Sequence, residues 1–138
     1  YYNGTTKFTP VHVTDVAELI CHVISKEIFS KDIEVIGPEI LSFKEIINKI
    51  IKSIDKKRIL FPMPLPIAKI SASFMQILPN PLITRDQLNL LKYDNVKSEN
   101  GITNFDLGCP SKIFFEEGIK KYAYNWRDGG EFSIKKID

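Results

Sequence analysis

The sequence predicts a mixed α/β chain that is rich in helices, has only short strands and suits the outer half of a larger enzyme-like fold. Several segments repeat apolar residues at the helical period, and the strand-like runs between them are short. No strand-like run is followed by a glycine-rich turn. With 138 residues, the chain is long enough for one domain with a real core.

The first predicted elements are a strand over 7–13 and a helix that begins near Asp15. The loose alternation of 7–13 indicates the strand, which places His12 on the face opposite to Val11 and Val13. Asp15 and Glu18 have the spacing of a capping box, so we expect Asp15 to cap the helix. The expected apolar face of this helix consists of Val16, Leu19, Ile20, Val23 and Ile24.

The clearest helix follows a short strand in "DIEVIGP", which ends at the Gly37-Pro38 pair. Ser42 and Glu45 form a second capping box. The apolar stripe that follows contains Phe43, Ile46, Ile47, Ile50, Ile51 and Ile54.

The second half of the chain predicts shorter pieces. These are a strand at "RILF" (58–61), a proline-interrupted "PMPLP" (62–66), an apolar helix near 67–78, a helix from Thr84 to Tyr93, and a last helix from Ser111 to Tyr122. Alternate prolines exclude both a helix and a central strand at 62–66. We therefore predict a lobe over 1–125, with 126–138 as a tail.

Composition excludes several classes of protein. The net charge is +2 and the charges are mixed in sign along the chain, which disfavours a nucleic-acid binder. The two cysteines are too few for a disulfide scaffold, and we expect Cys21 to be buried in a reduced protein. The most apolar stretch, 59–83, is cut by prolines and by Lys69, so it does not predict a membrane span.

No complete catalytic or metal site is visible in the sequence. None of the seven glycines forms a phosphate-binding fingerprint, and neither histidine has a partner at metal-ligand spacing. Tyr93 and Lys97 have the spacing of a hydride-transfer pair, but Asn95 between them favours a turn. We predict no catalytic residue and no metal site in this chain.

Some polar residues allow two interpretations. His12 is either a structural histidine or a ligand contact. Ser42, Thr84 and Ser111 are better explained as helix caps than as nucleophiles. The "PMPLP" segment and the helix after it are core, a membrane-surface helix, a partner groove or the wall of an apolar pocket. Arg85 is either a surface ion pair or an anion or partner contact.

Four stretches together resemble a known family. They are "PVHVTDVAELI", "IEVIGPEILSFKEIINKI", "RILFPMPLPIAK" and "ILPNPLITRDQLNLLKYDNV", in this order. The chain is similar to the C-terminal portion of an atypical short-chain dehydrogenase/reductase of the NAD-dependent epimerase/dehydratase superfamily. It is most similar to the branch that contains the dehydrogenase-like accessory subunit of respiratory complex I and its bacterial relatives.

The resemblance implies a Rossmann-type parent that binds NADP or NAD, whose glycine-rich loop and Tyr/Lys pair lie upstream. It implies that Val11, His12 and Val13 line the cofactor cleft, and that Pro62, Met63, Pro64 and Arg85 line a substrate or partner pocket. Sugar-nucleotide members often have an arginine three residues before the Val-His-Val, where this chain has Phe8. An apolar side chain cannot pair with a diphosphate, which disfavours a nucleotide-sugar substrate.

Three hypotheses follow. The first is a structural or assembly role, in which the chain contacts the N-terminal Rossmann part of its parent, complex I subunits and, peripherally, a membrane. The second is an NAD(P)-dependent epimerase, dehydratase or reductase that acts on a sugar-nucleotide or lipid-like substrate. The third is a stand-alone partner-docking module. The expected location is cytoplasmic or peripheral to the bacterial inner membrane, or the matrix side in a mitochondrion.

Overall fold

The computed structural model describes residues 4–60, 64, 67, 70 and 85–132. Its elements are β1 (Lys7–Phe8), α1 (Val13–Ser25), β2 (Ile33–Glu34), β3 (Leu41–Ser42), α2 (Phe43–Ser53), α3 (Arg85–Leu90), β4 (Ile102–Thr103), α4 (Phe115–Lys120) and a 3₁₀ helix (Ala123–Trp126). The predicted class, mixed α/β with helices and short strands, is confirmed.

The strands described form two small pairs. β1 lies antiparallel to β3, with Phe8 opposite Leu41, and β2 lies parallel to β4, with Glu34 opposite Thr103. The strand predicted over 7–13 is therefore wrong beyond Phe8, because α1 already begins at Val13. The strand predicted over 58–61 is also absent from its described part, 58–60.

Helix α1 differs from the prediction in its N-cap residue and in its buried face. Its N-cap is His12, whereas Asp15 lies inside the first turn and is buried. Of its predicted apolar face only Leu19 is buried, whereas Ile20 and Ile24 are exposed. The cause is tertiary: the 107–113 loop binds the side of α1 that carries Asp15 and His22. Cys21, which we expected to be buried, is exposed on the same helix.

Helix α2 begins as predicted. The Ser42 hydroxyl accepts a hydrogen bond from the Glu45 N–H, and the Glu45 carboxylate accepts one from the Ser42 N–H. These hydrogen bonds with Ser42 lower the pKa of Glu45. The apolar stripe of α2 is half-buried in this chain, so it is a packing face more than a closed core.

The core described is small and partly polar. Its buried apolar side chains are Leu19, Leu41, Leu88, Ile119 and Ala123. Thr103 and Asn104, at the end of β4, are the most deeply buried large side chains among the described residues, at 2% and 1% exposure. Buried polar groups require hydrogen-bond partners, and Asn104 has them on both sides of its amide.

Asn104 joins the end of β2 to the loop that follows β4. Its Oδ1 accepts from the Ile36 N–H at 3.0 Å, and its Nδ2 lies 3.0 Å from Ser111 Oγ and 3.3 Å from both the Ile36 and Cys109 carbonyls. Ser111 in turn donates to the Ile36 carbonyl at 2.8 Å. The prediction that Ser111 caps the last helix is therefore wrong, since α4 begins only at Phe115.

Other predicted features lie partly outside the described residues. Thr84 and most of the helix predicted at 67–78 lie outside the described residues. Of that helix, Ile67 and Ile70 are described, and both are helical and exposed. After residue 125, Trp126 packs against Phe132 with ring centroids 5.2 Å apart and the rings tilted by 41°. Arg127 Nε donates to the Ser53 carbonyl at the end of α2. The lobe and tail boundary at 125 stays a prediction.

Candidate functional site

Two clefts in the described part of the chain border a tight backbone contact. The contact joins the "GPE" turn, Gly37 to Glu39, to the segment after β1. The Gly37 N–H donates to the Thr9 carbonyl at 3.1 Å, and a Cβ at Gly37 would lie 1.8 Å from the Pro10 carbonyl oxygen. Glycine is required here because the neighbour is backbone, which cannot rotate away.

The first, which we call the His12 cleft, has a volume of ≈ 210 Å³, which is below the ~300–1,000 Å³ typical of ligand sites. Its walls are Pro10, Val11, His12, Val13, Ile113, Phe114, Phe115, Gly118 and Tyr122. Val13, Phe114 and Tyr122 are exposed at its rim. The cleft is therefore apolar, with the imidazole as its main polar group.

The orientation of the His12 ring is set from both sides. Its Nδ1 accepts from the Thr14 N–H at 3.2 Å, so a neutral ring carries its proton on Nε2. A Cβ at Gly118 would lie 2.9 Å from His12 Cδ2 and 3.6 Å from Nε2. The absence of a side chain at Gly118 lets α4 approach the ring closely.

Asp15 holds the opposite wall of the His12 cleft in place. Its buried Oδ2 accepts from the Lys112 N–H at 3.2 Å and from the Ile113 N–H at 3.1 Å. Nearby, Lys112 Nζ lies 3.1 Å from Glu18 Oε2, and this contact raises the pKa of Lys112. Asp15 and Glu18 thus tie α1 to the 112–113 loop instead of capping their own helix.

Glu39 positions α4, which forms the rest of the cleft wall. The Phe115 N–H, at the start of α4, donates to Glu39 Oε1 at 2.9 Å. Lys49 Nζ on α2 lies 3.8 Å from Glu39 Oε2 and 3.7 Å from Glu116 Oε2. A hydrogen bond and ion pair with Lys120 lower the pKa of Glu116, so this carboxylate stays ionised at neutral pH.

The second cleft, which we call the Lys97 cleft, has a volume of ≈ 380 Å³. It is lined by Thr9, Ile36, Gly37, Pro38, Glu39, Ile40, Val96, Lys97 and Phe105. It lies beyond the carboxyl ends of the parallel pair β2 and β4, where open α/β sheets bind ligands. Its cation, Lys97, lies 3.7 Å from Asp106, whose pKa is lowered by hydrogen bonds from Thr103 and then by Lys97.

The structure brings some of the predicted site residues together in one cleft and leaves the others outside it. Val11, His12 and Val13 line one cleft together, and their part in cofactor binding stays a prediction. Pro62 and Met63 lie outside the described residues. Pro64 is exposed and lines neither cleft, and Arg85 is the first residue of α3.

Sequence reasoning missed the far wall of the His12 cleft. Ile113 to Phe115 and Tyr122 come from the last fifth of the chain, with no local pattern that links them to His12. Gly118 carried a usable signal, because a lone glycine inside a helical segment often marks a close approach. No pattern in the sequence indicated that Glu39 would accept the hydrogen bond from the N–H group at the start of α4.

Three negative findings apply to the part of the chain that the structure describes. It holds no group of three or more metal-ligating side chains placed to share an ion. Tyr93 and Lys97 do not share a helix there, and Tyr93 is exposed. None of the described helices combines the length and the apolar character needed to cross a membrane.

His12 gives a first test of its role as a cap. Replacing it with alanine should lower the free energy of unfolding by about 1 kcal/mol, because the Thr14 N–H loses its acceptor. His12→Asn should restore most of this, since asparagine is a favourable N-cap. Urea unfolding of the three proteins measures both effects, and equal losses in the two variants would contradict the cap.

Comparison with known proteins finds one similar curated protein at significant similarity. No protein-family profile matches the chain. The chain is 35% identical over 140 residues to the Arabidopsis thaliana protein "NADH dehydrogenase [ubiquinone] 1 alpha subcomplex subunit 9, mitochondrial", over 92% of this chain and 34% of that protein. The chain thus spans about a third of the length of this curated relative. The relative is a complex I subunit by name, so this similarity agrees with the resemblance that the sequence motifs indicate.

Proposed function

We propose that the chain is the C-terminal segment of an NAD(P)-binding, Rossmann-type protein that associates with respiratory complex I in a structural or assembly role. The observation that carries the proposal is the 35% identity to a complex I subunit over 92% of this chain. The complete parent would then hold the upstream Rossmann part as the first partner of this segment.

The chemistry of the His12 cleft supports a binding role over a catalytic one. The imidazole Nδ1 is engaged by the Thr14 N–H, and the carboxylate nearest in sequence, Asp15, is committed to two backbone N–H groups. General acid–base catalysis needs a group within reach of the proton that it moves. The other walls of this cleft are mainly apolar, and Tyr122 at the rim is their one titratable side chain.

The fit to a dinucleotide is partial. A cleft of ≈ 210 Å³ is smaller than the ~300–1,000 Å³ typical of ligand sites, so it suits one end of such a cofactor. The phosphates need closely spaced glycines or a helix N-terminus, and this chain has no glycine-rich fingerprint. Val11, His12 and Val13 would then form a wall, and an upstream loop would hold the phosphates. The bound cofactor would supply a hydride donor or acceptor.

This partial fit makes a prediction for the isolated chain. It should bind NADPH negligibly, because the phosphate-binding part of the site is contributed elsewhere. Isothermal titration calorimetry with NADPH and NADH measures this directly, with the full-length parent as the positive control. Micromolar binding by the isolated chain would contradict the proposed division of the site.

The decisive experiment uses the full-length parent. NADPH titration, followed by nicotinamide fluorescence, should show tight binding, and the protein should migrate with complex I on native gels. A panel of carbonyl and sugar-nucleotide substrates should give no turnover. Turnover would favour the epimerase, dehydratase or reductase alternative, and the absence of both nucleotide and complex I would leave a partner-docking module.

The proposed location follows from the same association. It is the matrix side of the inner membrane if the source is a mitochondrion, and the cytoplasmic side, or the surface of the inner membrane, if the source is bacterial. Fractionation of membranes with and without a salt wash would test it, because a peripheral protein is released by salt.

A further inference from the structure

The turn that leads into β4 contains an Asn-Gly pair, Asn100 and Gly101. The Asn100 side chain is exposed and makes no hydrogen bond or ion pair in the part of the chain that the structure describes. Asparagine is one of the chemically labile residues of proteins. The backbone nitrogen of the next residue can attack its side-chain carbonyl carbon, and a glycine there has no Cβ to hinder the attack. The sequence thus places a labile pair in an open turn.

The Gly101 nitrogen, which would carry out this attack, is weakly held. Its N–H donates to the Ser98 carbonyl at 3.3 Å, which is longer than the ~2.7–3.2 Å of ordinary N–H···O hydrogen bonds. Gly101 also lies outside β4, so no strand pairing fixes it. Asn48 offers the contrast, because it is exposed as well but lies inside α2 and precedes Lys49. The helical hydrogen bonds and the Lys49 side chain both oppose the same attack there.

The Glu34 carboxylate explains why residue 101 is a glycine. A Cβ there would lie 2.5 Å from Glu34 Cδ and 2.6 Å from both carboxylate oxygens. The carboxylate could turn away, but it accepts a hydrogen bond from the Ser98 N–H at 2.8 Å, which that movement would break. Hydrogen bonds with Ser98 also lower the pKa of Glu34, so this group is ionised at neutral pH. The close packing of the turn on Glu34 therefore favours glycine, and with it the labile pair.

We propose that Asn100 is a deamidation site, at which the Gly101 nitrogen drives conversion of the asparagine to aspartate and isoaspartate. The nitrogen bonds to Asn100 Cγ, the Cγ–Nδ2 bond breaks, and the amide nitrogen leaves with the Gly101 proton as ammonia. The product is a cyclic succinimide. Water then opens the ring, adding its hydroxyl to one ring carbonyl and returning a proton to the Gly101 nitrogen. Opening at Cγ gives aspartate, and opening at the backbone carbonyl gives isoaspartate, whose main chain runs through Cγ.

The site lies in the segment that connects two walls of the Lys97 cleft. Val96 and Lys97 precede the turn, and Phe105 follows β4. Isoaspartate lengthens the main chain by a methylene group just before β4. At the end of β4, Thr103 and the following Asn104 are almost completely buried in packed surroundings, so they cannot shift to absorb the extra length. We therefore expect the turn and the start of β4 to take up the change, and the Lys97 cleft to loosen.

Both products add a negative charge near Glu34. Residue 100 lies between Ser98 and Gly101, and both of these residues lie against the Glu34 carboxylate. Like charges at short distance repel, which opposes the hydrogen bond between Ser98 and Glu34. Because Glu34 is the β2 residue that pairs with Thr103, the parallel pair of β2 and β4 should open more often. The inference depends on these contacts and not on the proposed association with complex I.

Peptide mapping by mass spectrometry tests the modification. The full chain is incubated in warm, mildly alkaline buffer and digested, and the change from amide to carboxylate is located by its mass. Methylation by an isoaspartate methyltransferase identifies the isoaspartate. Conversion at Asn100 should exceed conversion at Asn48 and should rise with pH, because the attacking nitrogen has to lose its proton. Mapping also separates Asn100 from Asn3, the other asparagine that precedes a glycine.

Two variants separate this reaction from general ageing of the chain. Asn100→Gln should abolish conversion at this position, because the longer side chain would have to form a larger ring. Asn48→Gln is the matched control, at an exposed asparagine in α2, and should leave conversion at Asn100 unchanged. After the same incubation, hydrogen–deuterium exchange of the unsubstituted chain should rise in peptides that cover β2 and β4, whereas the Asn100→Gln chain should not change. Circular dichroism before incubation confirms that both variants are folded.

The proposal is wrong if Asn100 converts no faster than Asn48, or if Asn100→Gln leaves the mass change at this position. It is also wrong if the converted chain exchanges deuterium no faster than the Asn100→Gln chain. The same mapping is repeated on the full-length parent, where absence of conversion would overturn the proposal because the rest of the parent would then shield the turn. The assay contains neither nucleotide nor complex I, so its failure is distinguishable from a failure of the proposed function.

Discussion

Replacing Gly37 with alanine is expected to destabilise the chain by at least ~3 kcal/mol, or to prevent folding. The new Cβ would lie 1.8 Å from the Pro10 carbonyl oxygen and 2.6 Å from the Pro10 carbonyl carbon. Both are backbone atoms, so relief requires the "GPE" turn to move away from the segment after β1. That movement would also break the hydrogen bond from the Gly37 N–H to Thr9. Urea unfolding, followed by circular dichroism, measures the loss.

Gly108→Ala is the matched control. Gly108 has a φ of +72° and open space around the position of a Cβ, so the substitution introduces backbone strain without a clash. Its cost should be about 1–2 kcal/mol. If Gly37→Ala destabilised the chain no more than Gly108→Ala, the close contact between Gly37 and Pro10 would not exist in solution.

The second large effect is expected at Asn104. Asn104→Ala should cost about 3 kcal/mol, because it leaves the part-buried Ile36 N–H without its acceptor and removes the donors to the Ile36 and Cys109 carbonyls. The site is 1% exposed, so water does not readily replace the lost partners. Since Ile36 precedes the "GPE" turn, the variant should also disturb the Lys97 cleft, which Ile36 and Phe105 line together.

Two substitutions make this test specific. Asn48→Ala, on the exposed side of α2, should change the free energy of unfolding by less than ~0.5 kcal/mol. Asn104→Asp keeps the acceptor for the Ile36 N–H but places a buried charge beside two carbonyls, so it should be destabilising at neutral pH and partly rescued by acid. If Asn104→Ala lowered the free energy of unfolding no more than Asn48→Ala, the hydrogen bonds around Asn104 would not contribute to stability.

Local sequence patterns predicted the elements whose contacts are local. The Ser42–Glu45 box closes within four residues, and the structure contains both of its hydrogen bonds. The Asp15–Glu18 pair has the same spacing, yet Asp15 binds backbone groups near residue 112 and His12 takes over the cap. The two motifs are alike in sequence, and only the nearby 107–113 loop makes their roles differ.

The sequence by itself determined the mixed α/β class, the α2 capping box and the resemblance to a complex I subunit, because periodicity, capping chemistry and motif order are all read along the chain. The tertiary structure alone decided which polar residues are buried and which residues share a cleft. Asn104 meets Ile36 across 68 positions, and His12 meets Gly118 across the length of the lobe. Such contacts depend on how distant segments pack. A backbone N–H group is present at nearly every residue, so the local sequence pattern does not indicate which distant side chain will bind it.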